Sequence, residues 1–222
     1  MLIESTGLYG RSKLRKFAWP TGKLLKEAQL ESRHFGEGST VVGDKIILLT
    51  WKAKQGFIFN KQTLAKERSF TYQTTTGQGW GITATPMGLV VSDGSSFLHI
   101  WDPQTLRQVS RVQIKDEKGR PLERLNELEY VNGELLANVW FDTRIARIDV
   151  TTGKLLGWID CAGILHGRPF RAGDDVLNGI ASLSIANNSA SMPLDGAELL
   201  LTGKRWDKMY HVRLAGKPKS TV

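Results

Sequence analysis

Apolar residues along this chain fall in short alternating runs, and the three-and-four spacing of an amphipathic helix is hard to find. Segments such as "LLTWKAKQGFIF", "LVVSDGSSFLHIW", "LLANVWFDTRIARID" and "LLLTGKRWDKMYHVRL" concentrate β-branched and aromatic side chains, with Gly, Asn and Asp between them. Residues 21–34, "TGKLLKEAQLESRH", carry the best helical pattern, but they read equally well as a turn followed by a strand. Within "LNELEYVNGELLANVW" (125–140), "VNGE" marks a hairpin turn with Glu134 turned to solvent. The pattern predicts an all-β fold.

A repeat organises these strands. "FAWPTGKLLKEAQL" (17–30), "FIFNKQTLAKERSF" (57–70), "HIWDPQTLRQVSRV" (99–112) and "RIDVTTGKLLGWID" (147–160) share one shape: an apolar strand, a turn, then a mixed strand. With Trp19, Asn60, Asp102 and Asp149 as anchors the spacings are 41, 42 and 47 residues. A period of roughly 40–50 residues signals β-propeller blades. The segment 199–214 supplies a fifth unit, so residues 1–222 are expected to form a single five-bladed propeller domain.

In a propeller, equivalent positions of successive blades converge on the axial channel. Those positions offer Glu4, Thr50 with Trp51, Ser92 with Asp93, Asn138 with Trp140, and Thr202 with Lys204. The segments leading into the inner strands add Glu37, Trp80, Asn126, Glu127 and Asn178. Singly, such residues cap turns or fill space between blades. Together, a carboxylate, amides, an ammonium and several indoles at one channel mouth describe a small-ligand site.

Composition narrows the chemistry. The chain has 222 residues, 41% hydrophobic and 23% charged, as in ordinary globular proteins. Its net charge of +8 is scattered, with local concentrations only at "RSKLRK" (11–16) and "KPKS" (217–220), so no nucleic-acid partner is expected. No apolar run is long enough to span a bilayer, and no membrane partner is expected. Cys161 is the sole cysteine and forms no intramolecular disulfide. His34, His99, His166 and His211 are dispersed, without zinc-site spacing. Asp93, Asn126 and Asn178 offer oxygen donors for a calcium-dependent hydrolase, a reading that Lys204 disfavours.

The motifs "ESTGLYG", "FGEG", "LTW", "SDGSS", "LNELEYVNGELLANVW", "RIARID", "LNGIA" and "LTGKRW" resemble the plant and bacterial type of glutaminyl-peptide cyclotransferase, in family order from residue 4 to about 214. The resemblance implies a five-bladed propeller that converts an N-terminal glutamine of peptides or proteins into pyroglutamate and releases ammonia. It implies no metal; no cofactor is expected, and a monomer is expected. By the same resemblance Glu4 is the catalytic acid/base; the proton relay such a ring closure needs leaves Glu37, Glu127 and Glu129 as reserve candidates. Trp51, Trp80 and Trp140 are pocket walls, and Asn126 and Lys204 bind substrate. Relatives are often exported, but no signal peptide is visible here.

Two departures stand out. The family usually has Glu where this chain has Gln78. Relatives also carry a strand with an "FTQGL"-like motif before "ESTG", whereas Met1 lies three residues before Glu4. The first blade is therefore expected to lack its N-terminal strand, and a non-catalytic, peptide-binding propeller is the alternative function.

Overall fold

The computed structural model describes residues 1–165, 175–183 and 194–216. Five antiparallel sheets follow one another along the chain. The first contains β1 (Leu2–Thr6), β2 (Lys13–Phe17) and β3 (Leu24–Gln29). The second contains β4 (Gly36–Val42), β5 (Lys45–Thr50), β6 (Gln55–Asn60) and β7 (Lys66–Thr71). The third contains β8 (Ile82–Thr85), β9 (Gly88–Val91), β10 (Phe97–Trp101) and β11 (Gln108–Gln113). The fourth contains β12 (Leu125–Val131), β13 (Glu134–Val139), β14 (Arg144–Asp149) and β15 (Lys154–Asp160). After a single-turn helix, α1 (Ala162–Leu165), the fifth contains β16 (Leu177–Ser182), β17 (Glu198–Gly203) and β18 (Tyr210–Arg213). This is the five-bladed propeller the repeat predicts, and residues 24–29 are strand, not helix.

The inner strands stand side by side around the axis: β4 beside β8, β8 beside β12, and β12 beside β16, with β1 next to β4. Register makes β1 the counterpart of the second strands β5, β9, β13 and β17, so the described part of the first blade has three strands. Apolar clusters fill the gaps between blades. Leu14 meets Ile46, Leu48 and Phe57 between the first two blades. Tyr72 and Trp101 pack between the second and third. Leu125, Leu135 and Ile148 join Val90 and Leu98 between the third and fourth, and Leu136 and Ile145 join Leu199 and Leu201 between the last two. The three middle blades thus bury both faces, which is what their alternating or continuous apolar strands require.

The outer turns explain the sequence anchors. Asn60 Oδ1 accepts the amides of Gln62 and Thr63, and Asp102 and Asp149 do the same for the amides two and three residues on. In the first blade the counterpart of Asn60 is Ala18, which closes the same backbone turn with Lys23 and Gly22. The Trp19 anchor is therefore displaced by one residue, because Ala18 has no side-chain acceptor to betray the turn. "VNGE" is a two-residue hairpin, with Asn132 and Gly133 both at positive φ. Glu134 does not face solvent alone: it receives a two-bond fork from the Arg147 guanidinium at 2.8 and 2.9 Å.

Candidate active site

Three inner strands begin with the same irregularity. Register slips between Gly36 and Ser39 on β4, between Leu125 and Leu128 on β12, and between Leu177 and Ile180 on β16. Each slip is a bulge that frees a pair of residues from the ladder: Glu37 with Gly38, Asn126 with Glu127, and Asn178 with Gly179. Glu37, Asn126 and Asn178 are therefore structural equivalents at one end of the channel. Facing them are the residues just past the second strands. The amides of Trp51, Trp140 and Lys204 donate to the carbonyls of Phe35, Arg124 and Val176 at 3.0, 2.9 and 2.9 Å, the same bond in three blades.

Trp51, Trp80, Trp140 and Lys204, all half-buried, line this mouth. Trp80 meets Trp140 edge-on with ring centroids 5.2 Å apart. The Lys204 ammonium lies 5.7 Å from the Trp140 ring centre. Gln78 joins the walls: its Oε1 accepts the indole N–H of Trp51 at 2.5 Å and that of Trp80 at 3.0 Å. An indole nitrogen only donates, so the oxygen must face both rings and the Gln78 NH2 must point elsewhere. Trp80 fits because Gly94, at φ 83°, presents no side chain to it; a Cβ there would stand 2.7 Å from its six-membered ring.

The loop carrying Gln78 is pinned from beneath. Asp93 and His99 are buried, and their side chains approach to 3.3 Å. Asp93 takes the Thr76 amide at 2.7 Å and the Ser95 hydroxyl at 2.5 Å, while Thr74 Oγ1 donates to the Gln78 carbonyl at 2.6 Å. Burial by itself would raise the Asp93 carboxyl, but His99, Ser95 and the Thr76 amide hold it well below the usual carboxylate range. Asp93 is thus committed to the loop.

Three carboxyls sit on the inner strands β4 and β12. Glu37 is half-buried, and desolvation pushes it up to about 7 although Lys204 pulls the other way. Glu127 and Glu129 reach to the fifth blade and accept the Ile180 and Ser182 amides at 2.9 and 2.8 Å. Burial, reinforced for Glu127 by its neighbour Glu129, lifts Glu127 well above the ordinary range, and burial lifts Glu129 to about 7. The pair bonds blade to blade. Glu4 lies elsewhere on the ring. Thr6, not Glu4, is the counterpart of Thr50. Glu4 sits two residues further from the mouth, paired across the strand with Arg15 at 3.5 Å. Its side chain leaves β1 on the face opposite Ser5, whose hydroxyl bonds the Glu37 carbonyl of the second blade. Burial raises the Glu4 carboxyl and Arg15 opposes the shift.

Donors without protein acceptors remain at the mouth. Among the described residues, Trp140 Nε1, Asn138 Nδ2 and Asn178 Nδ2 are buried and unpartnered. Asn138 uses its oxygen for the Gly179 amide at 2.8 Å. Asn126 is 3% exposed, and its backbone carbonyl accepts the Ser92 hydroxyl at 2.5 Å.

The family model for glutamine cyclotransferase matches residues 1–214. The chain belongs to the glutamine cyclotransferase family. It is 39% identical over 215 residues to the glutaminyl-peptide cyclotransferase of Arabidopsis thaliana, covering 96% of this chain and 63% of that relative, so it spans less than two thirds of the relative's length. The glutaminyl cyclase of Myxococcus xanthus superposes with a TM-score of 0.81 at 30% identity, covering 96% of this chain and 85% of the other. A Bacteroides caccae protein of unknown function, at 12% identity and TM-score 0.50, shares the fold alone.

Within this cyclotransferase-family chain, no group of three His, Cys, Asp or Glu among the described residues is placed to hold a metal ion. His34 and His99 are buried and His211 pairs with Glu198 at 3.2 Å, while His166 and the basic segment 217–220 lie outside the described residues. Cys161 is buried, and burial pushes its thiol up to about 12. Among the described residues no helix is long and apolar enough to cross a membrane. The sequence pattern missed the Gln78 bridge and the neighbour of Trp140, Phe141, which stacks on it at 4.9 Å.

Proposed function

We propose that this chain is a metal-independent glutaminyl-peptide cyclotransferase, acting as a monomer on peptides and proteins with N-terminal glutamine. The observation that carries the reading is Glu37, a carboxyl pushed up to about 7 beside Lys204 in a tryptophan-walled mouth. Family membership supports it.

In the reaction, the substrate α-amine attacks the side-chain amide carbon, a C–N bond closes the five-membered ring, and the bond to the amide nitrogen breaks. Trp51, Trp80 and Trp140 hold the flexible side chain folded, which supplies proximity. Charge gathering on the amide oxygen is met by donors such as Trp140 Nε1, Asn178 Nδ2, Asn126 and the Lys204 ammonium. The departing nitrogen leaves as ammonia once a carboxyl has passed it the proton lost by the attacking amine. A carboxyl titrating near 7 suits both halves of that relay. We assign the relay to Glu37 rather than Glu4, since Glu4 is paired with Arg15 and set back from the mouth.

The test is ammonia release from a Gln-peptide, with folding checked by a cooperative melt and chelator present throughout. Glu37→Gln is expected to lose roughly 100-fold or more in kcat, and Glu4→Gln far less. The reverse order would return the relay to Glu4. Binding without turnover would leave a peptide-binding propeller, and loss of activity in chelator would end the metal-independent reading. Sedimentation at assay concentration checks the monomer.

A further inference from the structure

Phe141 holds a backbone conformation that its own side chain resists. Val139, Trp140, Phe141 and Asp142 form a tight turn closed by the Asp142 amide on the Val139 carbonyl at 2.8 Å. Phe141 occupies the third position with φ 68°. That position favours Gly or Asn, and a bulky aromatic there is an outlier. The equivalent turn of the fifth blade, Gly203 to Trp206, closes at 3.2 Å and holds Arg205 at φ 61°. The left-handed turn is thus a property of the scaffold, which sets Trp140 and Lys204 at the mouth. The phenyl ring is a property of this sequence.

Folding gains little from that ring. Phe141 is 58% exposed, and its ring contact is the stack on Trp140, 18° from parallel. The rest of the turn is electrically quiet. Asp142 is forked by Arg144 at 2.8 and 3.0 Å, and Arg144 in turn covers the Trp158 ring at 4.1 Å. An exposed aromatic face therefore extends the Trp140 wall outward from a pocket that, on the reading above, encloses the first residue of a peptide. The second residue has to leave across this rim.

We propose that Phe141 forms a subsite for the side chain following the N-terminal glutamine, and that it selects aromatic and large apolar residues there. The proposal rests on the cyclotransferase reading for the register of the peptide. Aromatic contacts of this kind discriminate by roughly three- to tenfold.

Gln-Phe, Gln-Leu, Gln-Ala and Gln-Glu amides, compared on wild type, Phe141→Asn and Phe141→Leu, decide it. Asn suits the left-handed turn, so Phe141→Asn relieves strain while removing the ring. Wild type is expected to favour Gln-Phe over Gln-Ala by roughly three- to tenfold in kcat/KM, carried by KM. Phe141→Asn should close that gap by weakening Gln-Phe most, and Phe141→Leu should keep part of it. Equal losses on every peptide, a wild type that does not discriminate, or a preference for Gln-Glu would overturn the subsite. If wild type turns over none of the peptides, the cyclotransferase reading fails separately and calorimetric binding decides the subsite. Tighter binding of Gln-Phe than Gln-Ala, lost in Phe141→Asn, supports it, and no such difference overturns it.

Discussion

Glu129 of the fourth blade accepts the backbone amide of Ser182 in the fifth at 2.8 Å, so a side chain stands in for a ladder bond between blades that share none. Glu127 does the same for Ile180 at 2.9 Å. Both carboxyls are raised, Glu129 to about 7. A carboxyl raised on folding binds protons more tightly in the native state, so stability is greatest below the unfolded value and is lost as pH rises through the folded one. The melting temperature is expected to fall between pH 5 and 8. Glu129→Gln keeps an acceptor for Ser182 but cannot ionise, and should flatten that fall by an amount equivalent to roughly 2–3 kcal/mol. A pH-independent wild-type melt would contradict the assignment.

Glu37 makes a kinetic prediction with the opposite dependence. Accepting the proton of the attacking amine requires its ionised form, so activity is lost as pH falls through about 7. The acid limb of kcat/KM should bend near that value. Substitution of Lys204 by Met removes the ammonium that lowers Glu37 and should move the bend upward, in addition to any loss of substrate binding.

Gln78 ties two walls with one oxygen, and its replacement separates geometry from charge. Gln78→Leu leaves two indole N–H groups without their acceptor, a loss of roughly 1–3 kcal/mol, and should appear as a raised KM more than a lowered kcat. Gln78→Glu retains an acceptor for both indoles and should restore KM. Steady-state kinetics on one Gln-peptide suffices to tell the two patterns apart.

Gly94 limits what Trp80 can become. A methyl group at this position would meet the indole at 2.7 Å, and φ 83° already disfavours it. Gly94→Ala is expected to cost roughly 1–3 kcal/mol, seen as a melting temperature lower by several degrees and a shifted tryptophan fluorescence.

The blade repeat was readable because its turns are marked by side-chain acceptors: Asn60, Asp102 and Asp149 each cap two amides. Where the acceptor is lacking, at Ala18, the sequence pattern points one residue late, to Trp19. The shared position of Trp51, Trp140 and Lys204 was readable because each directly follows a second strand, whereas Trp80 precedes an inner strand. The relative standing of the carboxyls was not. Glu4 and Glu37 both sit in short polar stretches with a nearby glycine, and only strand register shows that one pairs with Arg15 across a regular ladder while the other lies in a bulge. The Gln78 bridge depends on two rings 29 residues apart, Trp51 and Trp80, meeting one amide, which no local pattern encodes. Phe141 carried no signal because its oddity is a backbone angle.

The bulges that carry Glu37, Asn126 and Asn178 have a further consequence. A residue out of the ladder can change its chemistry with little effect on strand pairing, since neither neighbour's register depends on its side chain. Carboxyl and amide in these three places are then separately adjustable settings on one chassis. Exchanging them among blades, for instance Asn178→Glu with Glu37→Asn, would relocate the acid around the axis while the ring itself stays folded.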